Sequence, residues 1–137
     1  MPDWSKIKYF DANENWGDAS KIDQSLLVGL DELRFKLGSP IIISSGTDGR
    51  HQVGSFHYDG KAVDVVAPNS HIFNFFVTAT RVKAFDGIGV YPEWSYRGIR
   101  CGGLHLDVGG SFGRRWLYHD AYYRELNFFF AKESGMI

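Results

Sequence analysis

The stretch Ser55–Val66, with the sequence SFHYDGKAVDVV, combines a polar turn with a β-strand and organises the interpretation of the whole chain. Its second half is rich in valine and predicts a strand over Ala62–Val66, in which the side-chain period of two places Asp64 on the opposite face from Val63 and Val65. His57 lies in the turn before that strand, and Gly60 allows the backbone to turn sharply between them. We therefore expect an imidazole from a loop and a carboxylate from a strand to converge.

A second strand supplies the third member of this set. Leu104–Val108 alternates in polarity and is predicted to place His105 and Asp107 on one face. Together with His57 and Asp64, His105 makes two imidazoles and one carboxylate, a ligand set suited to Zn²⁺. Three protein ligands leave a fourth position for water or substrate, and the ion stays positive enough to acidify bound water. The pattern predicts one catalytic Zn²⁺ per chain.

The remaining elements follow from hydrophobic periodicity and turn residues. Residues 20–37 read as a helix, with Ser20 and Asp23 as a capping box and Gly38 as its stop. A second helix follows Pro68, with Asn69 or Ser70 as cap. Further strands are predicted at 41–45 and 87–91, and an edge strand is predicted at 115–118. Loops are predicted at 46–61 and 92–103. The aromatic tail from Asp120 is expected to be helical.

Two helices and several short strands in mixed order predict a single α+β domain over residues 1–137. Local connections favour a small central sheet that is mostly antiparallel, with helices packed on it. The aromatic C-terminal extension, 119–137, is expected to pack against this body.

Composition limits the function classes. The chain has 137 residues, 44% of them hydrophobic, and a net charge of −1, which argues against a disordered chain and against nucleic acid as a partner. One cysteine, Cys101, excludes a cysteine-rich zinc site. Residues 1–15 contain no apolar signal segment, and no stretch has the roughly 20 apolar residues that span a bilayer. We expect a monomer made in the cytoplasm without a signal peptide, which reaches a cell wall only if released or carried by a virion.

A series of motifs occurs in order along the chain and resembles one family. It resembles the zinc D-alanyl-D-alanine carboxypeptidases and L-alanyl-D-glutamate endopeptidases, which include phage endolysins and share a fold with the hedgehog signalling domain. The resemblance covers about residues 20–118. The motifs are Ile41–Gly46, Arg50, Ser55-x-His57-x-x-Gly60-x-Ala62-x-Asp64, Gly87–Pro92 and His105-x-Asp107-x-Gly109.

The resemblance implies roles for individual residues. His57, Asp64 and His105 match the zinc ligands of the family, and Arg50 and Ser55 match its substrate-binding pair. A guanidinium suits a substrate carboxylate because its fork donates two parallel hydrogen bonds. The alternatives are a solvated loop cation for Arg50 and a turn-stabilising hydroxyl for Ser55.

One departure from the family concerns the general base. Many members carry Glu or Asp three residues before the last ligand, where this chain has Gly102. We therefore predict Asp107 as the catalytic base, with Glu93 as a second candidate. Asp107 could instead be a carboxylate that orients His105. His51, although near the site loop, is interpreted as a solvated loop histidine, and His71 and His119 are left as structural residues.

These features predict a zinc metallopeptidase that hydrolyses peptidoglycan stem peptides. Two other classes remain open. A zinc-binding cell-wall module without hydrolytic activity is consistent with Gly102, and a virion structural protein could retain the fold alone.

Overall fold

The computed structural model describes residues 1–49, 51, 54–119 and 122–124. Over this part the chain forms two α-helices, eight strands and two short 3-10 turns, Trp4–Lys6 and Ala19–Lys21. The helices are α1 (Gln24–Leu37) and α2 (Ile72–Thr80). The strands are β1 (Ile42–Ser45), β2 (Ala62–Val66), β3 (Gly87–Tyr91), β4 (Ser95–Tyr96), β5 (Ile99–Arg100), β6 (Gly103–Asp107), β7 (Arg114–His119) and β8 (Tyr122–Arg124).

Six strands form the central sheet in the order β1-β2-β6-β3-β7-β8. Neighbouring strands are antiparallel except β3 and β7, which run parallel. β4 and β5 form a separate hairpin. The prediction of a single α+β domain with a mostly antiparallel sheet is confirmed. In the described residues no helix is long and apolar enough to cross a membrane.

One face of the sheet lies in the hydrophobic core. Alternate residues of the three middle strands point into it and are fully buried. They join the apolar side of α1 and α2 in one cluster. From the sheet this cluster receives Val63, Val65, Ile88, Val90, Leu104 and Leu106. The opposite face carries the polar residues of the same strands.

Both predicted helix starts are wrong in detail. Asp23, not Ser20, caps α1, and its carboxylate accepts a hydrogen bond from the Ser25 N–H. Ser20 lies in a 3-10 turn that precedes the helix. His71 caps α2, where its Nδ1 accepts a hydrogen bond from the Phe73 N–H at 3.1 Å. An imidazole nitrogen takes the place expected of Asn69 or Ser70.

Three predictions after β3 also need correction. The loop 92–103 contains the β4–β5 hairpin. β7 is not an edge strand, because it pairs with β3 on one side and β8 on the other. The tail was predicted to be helical, but Tyr122–Arg124 form a strand. Residues 125–137 lie outside the described part of the chain.

Candidate metal centre

The register of the sheet brings the two strand ligands together. Asp64 of β2 is the direct partner of His105 of β6, so their side chains are neighbours on the same face. His57 reaches them from the loop before β2. That loop turns at Gly60, where φ is +73° and a Cβ would lie 1.9 Å from the Lys21 carbonyl oxygen. Only glycine fits this turn.

Three atoms converge where the sequence predicts a ligand set. His57 Nε2 lies 3.2 Å from Asp64 Oδ1 and 3.2 Å from His105 Nδ1, and the last two atoms are 3.4 Å apart. Tetrahedral ligands with bonds of about 2.0–2.1 Å stand about 3.3 Å from one another. The triangle therefore has the dimensions of three corners of a tetrahedral metal site.

The outer nitrogen of each imidazole fixes its tautomer. His57 Nδ1 lies 3.0 Å from the Gly46 carbonyl oxygen, which can only accept, so Nδ1 carries the proton. His105 Nε2 lies 2.8 Å from Asp107 Oδ2 and is likewise the donor. In the neutral rings the inner nitrogens, His57 Nε2 and His105 Nδ1, then carry lone pairs that face the carboxylate of Asp64. Three acceptors this close together repel one another, so a proton or a metal ion between them would stabilise the arrangement.

The charges around the triangle favour such a cation. Burial raises the pKa of Asp64, but the hydrogen bonds that His105 and His57 donate to it when their inner nitrogens carry a proton outweigh burial and hold the pKa below the usual value. Burial lowers the pKa of His105, but the hydrogen bonds that the protonated ring donates to Asp107 and Asp64 prevail and raise it. The site thus attracts positive charge, either as a proton or as a metal ion.

Asp107 has the contacts of an orienting carboxylate. Its side chain is 1% exposed, with one oxygen on the outer nitrogen of His105 and the other on the Arg114 guanidinium. Arg114 itself lies over the Phe56 ring, 5.5 Å from its centroid. Both oxygens are therefore engaged on the side of His105 that faces away from the triangle.

Two glycines of β3 make these contacts possible. Gly87 lies in register between Asp107 and Arg114, and Gly89 between His105 and Trp116. A Cβ on Gly87 would come within 2.5 Å of the Asp107 carboxylate. One on Gly89 would come within 2.4 Å of the indole. Because β3 has no side chain at these positions, residues of β6 and β7 meet across it.

His51 lies against the site rather than in solvent, which corrects its interpretation as a solvated loop residue. Its ring is stacked on His57 with centroids 3.7 Å apart and planes 3° from parallel. His51, His57 and Asp64 offer ligand atoms within 4.8 Å of one another and could hold a metal ion. However, an imidazole lone pair lies in the ring plane, and two parallel stacked rings cannot both direct one at the same ion. His51 Nε2 is also engaged by Ser45 Oγ and the Asp48 carbonyl oxygen, at 3.0 and 2.8 Å.

The triangle opens into a cleft of about 360 Å³. Ser55 lies in this cleft, and its hydroxyl also accepts a hydrogen bond from the His57 N–H at 3.2 Å, as a turn-stabilising residue would. Glu93 is exposed and is not among the cleft residues in the described part of the chain. Arg50 lies outside the described residues. The cleft is lined by His51, Ser55, His57, Asp64, Tyr91, Trp94, His105, Trp116 and Tyr123.

Sequence reasoning missed the residues that support the ligands. Nothing in the sequence marked Arg114 as a partner of Asp107 or the Gly46 carbonyl as a partner of His57. The alternation Gly87-x-Gly89-x-Tyr91 was a usable signal, since two glycines on one face of a strand leave room for side chains from both neighbouring strands. Comparison with models of known protein families and with curated proteins finds no match.

Proposed function

We propose that this protein is a zinc-dependent peptidase that hydrolyses peptidoglycan stem peptides. The observation that carries the proposal is the triangle of His57 Nε2, Asp64 Oδ1 and His105 Nδ1. The distances between these three atoms suit a metal ion with tetrahedral coordination, and the open side of the triangle faces a cleft.

The donor set favours zinc over other common ions. Two imidazoles and one carboxylate are typical zinc ligands, whereas Mg²⁺ and Ca²⁺ prefer oxygen. Three protein ligands with an open position are typical of catalytic rather than structural zinc sites. When bound, the ion would acidify a water molecule and polarise the scissile carbonyl.

The chain's own residues would hold and orient this centre. The Gly46 carbonyl fixes the ring of His57, and Asp107, itself held by Arg114, fixes the ring of His105. These contacts favour Asp107 as a positioning residue over the general base that we predicted. Its role as base stays a prediction, as does that of Glu93.

The choice of substrate rests on the resemblance to cell-wall peptidases. A cleft of about 360 Å³ is within the usual size of small-ligand sites. Ser55 offers a hydroxyl in this cleft, and Arg50 is proposed to bind a substrate carboxylate through its two-donor fork.

Mass spectrometry of products from defined muropeptides tests the proposal. The zinc-loaded protein should release a D-alanine or split an internal stem-peptide bond, and His105→Ala should do neither. Tyr9→Phe, a change outside the cleft, should cleave like the wild type. A zinc-loaded wild-type protein that leaves the whole panel intact would contradict hydrolysis.

A zinc-bearing binding module is the second candidate, and a specific feature favours it. Gly102 stands where the resembled enzymes carry a base carboxylate, and no other carboxylate besides Asp64 lines the cleft in the described residues. Zinc-dependent cosedimentation with purified cell walls, without cleavage products, would support this candidate.

A further inference from the structure

The phenol hydroxyl of Tyr91 is a polar group of the cleft that no role above uses. Tyr91 lies on β3, two residues after Gly89, and Gly89 is the register partner of His105. A diagonal neighbour on the next strand stands at roughly 7–8 Å between Cα atoms, within reach of an aromatic side chain. Tyr91 therefore lines the same cleft as the ligand triangle.

The hydroxyl is held in place by its neighbours. The Trp116 indole N–H donates to the Tyr91 oxygen at 3.1 Å, and the Tyr91 ring is stacked on Trp94 with centroids 4.3 Å apart. Trp116 can lie there because Gly89 leaves space beneath its ring. The indole and the stacked ring together fix the position of the phenol oxygen.

This arrangement leaves a donor in the cleft. An indole has only an N–H, so the Tyr91 oxygen is the acceptor in that bond and its own O–H is available as a donor. Burial, the main cause, raises the pKa of Tyr91 to about 12, which keeps the phenol protonated. Tyr123 is a hydrogen-bonding neighbour of this hydroxyl, and because a phenol O–H rotates, the proton can turn from Tyr123 to an oxygen that enters the cleft.

We propose that the Tyr91 hydroxyl donates a hydrogen bond to the carbonyl oxygen of the scissile peptide bond. This hydrogen bond becomes stronger as the carbonyl oxygen acquires negative charge during hydrolysis. The inference rests on the proposed function and adds an oxyanion-stabilising residue to it. A prepositioned donor of this kind acts where charge develops and contributes more in the transition state than in the bound substrate. No atom of Tyr91 is transferred.

Binding of an oxyanion tests the inference without relying on turnover. The probe is dimethylphosphinate, whose tetrahedral centre and two oxygens resemble the intermediate of peptide hydrolysis but lack side chains. Its affinity for the zinc-loaded protein can be measured by ³¹P NMR titration. Tyr91→Phe, which removes only the hydroxyl, should weaken binding at least about tenfold, as expected for a hydrogen bond to a charged group.

Two further variants separate this role from packing. Tyr9→Phe removes a hydroxyl outside the cleft and should bind the probe like the wild type. Trp116→Phe removes the indole N–H but keeps the Tyr91 hydroxyl, and it should weaken binding less than Tyr91→Phe. Zinc content should be unchanged in all three.

The outcomes are distinct. Equal probe affinity in Tyr91→Phe and wild type overturns the inference. A wild type that does not bind the probe overturns it as well. So does a loss of probe affinity in Trp116→Phe that is as large as the loss in Tyr91→Phe. If the wild type cleaves no muropeptide but the tenfold loss is seen, the peptidase proposal fails and the Tyr91 donor stands. If peptides are cleaved, Tyr91→Phe should lower kcat by about 10²–10³ with little change in KM.

Discussion

The two faces of the middle strands of the sheet differ in what they require of each residue. On the core face, Val63, Leu104 and Leu106 pack with their neighbours and are fully buried. On the site face of the same strands, Asp64 and His105 are held by individual contacts to specific atoms. Packing on one face gives a rigid platform, and directed hydrogen bonds on the other set the geometry of the ligands. Substitutions on the two faces should therefore fail in different ways.

The largest effect is expected on the site face, from loss of His57 or Asp64. These two residues belong both to the triangle with His105 and to the alternative ligand group with His51. His57→Ala and Asp64→Ala should lose zinc, because two remaining ligands hold the ion far more weakly than three. They should also lower the melting temperature measured with zinc present, since a ligand that binds only the folded state stabilises it. Elemental analysis after dialysis and calorimetry measure both quantities.

Asp59→Ala is the matched control, since Asp59 is an exposed carboxylate of the same loop. It should retain one zinc per chain. Full zinc content in His57→Ala would contradict the assignment.

The core face should show the opposite behaviour. Leu106→Ala is expected to lower the free energy of unfolding by about 2–5 kcal/mol, because it leaves a cavity in a fully buried position. The folded fraction should still bind one zinc per chain, because the backbone that carries His105 is unchanged. Denaturant titration of the apo protein, combined with zinc analysis of the folded fraction, measures the two effects separately. A folded Leu106→Ala that binds no zinc would show that the faces are not independent.

A smaller effect is expected from the carboxylate that orients His105. Asp107→Asn should lower zinc affinity about 10–100-fold, the usual cost of removing such a partner, and saturating zinc should restore activity. Gly87→Ala, whose Cβ would collide with the Asp107 carboxylate, should act in the same direction. Competition with a chromophoric chelator measures the affinity. If Asp107→Asn keeps full affinity but loses at least about a hundredfold in kcat, Asp107 is the general base after all.

The residues of the site face could be predicted from sequence only where the alternation of apolar and polar side chains along a strand is enough to place them. The β-branched run in β2 placed Asp64 opposite its valines, and the structure confirms this strand with the predicted bounds Ala62–Val66. Gly87–Tyr91 is likewise confirmed. Both strands lie inside the sheet, where the pattern of buried residues is strict.

The supporting contacts could not be predicted because they depend on the order of strands. Arg114 meets Asp107 only because β7 lies beside β3 and β3 beside β6. That order joins segments through a parallel pair, which local patterning does not encode. The caps of α1 and α2 were misplaced for a simpler reason, since several residues near each helix start can accept the same N–H bonds.

The most direct measurement compares zinc content in His105→Ala and His51→Ala after identical dialysis. His105 is assigned to the metal, whereas His51 is stacked on His57 as a neighbour of the site. His105→Ala should therefore contain almost no zinc. His51→Ala should retain one zinc per chain with nearly the zinc affinity of the wild type, which is the smallest change expected among the variants discussed. The reverse result, zinc retained without His105 and lost without His51, would contradict the central claim.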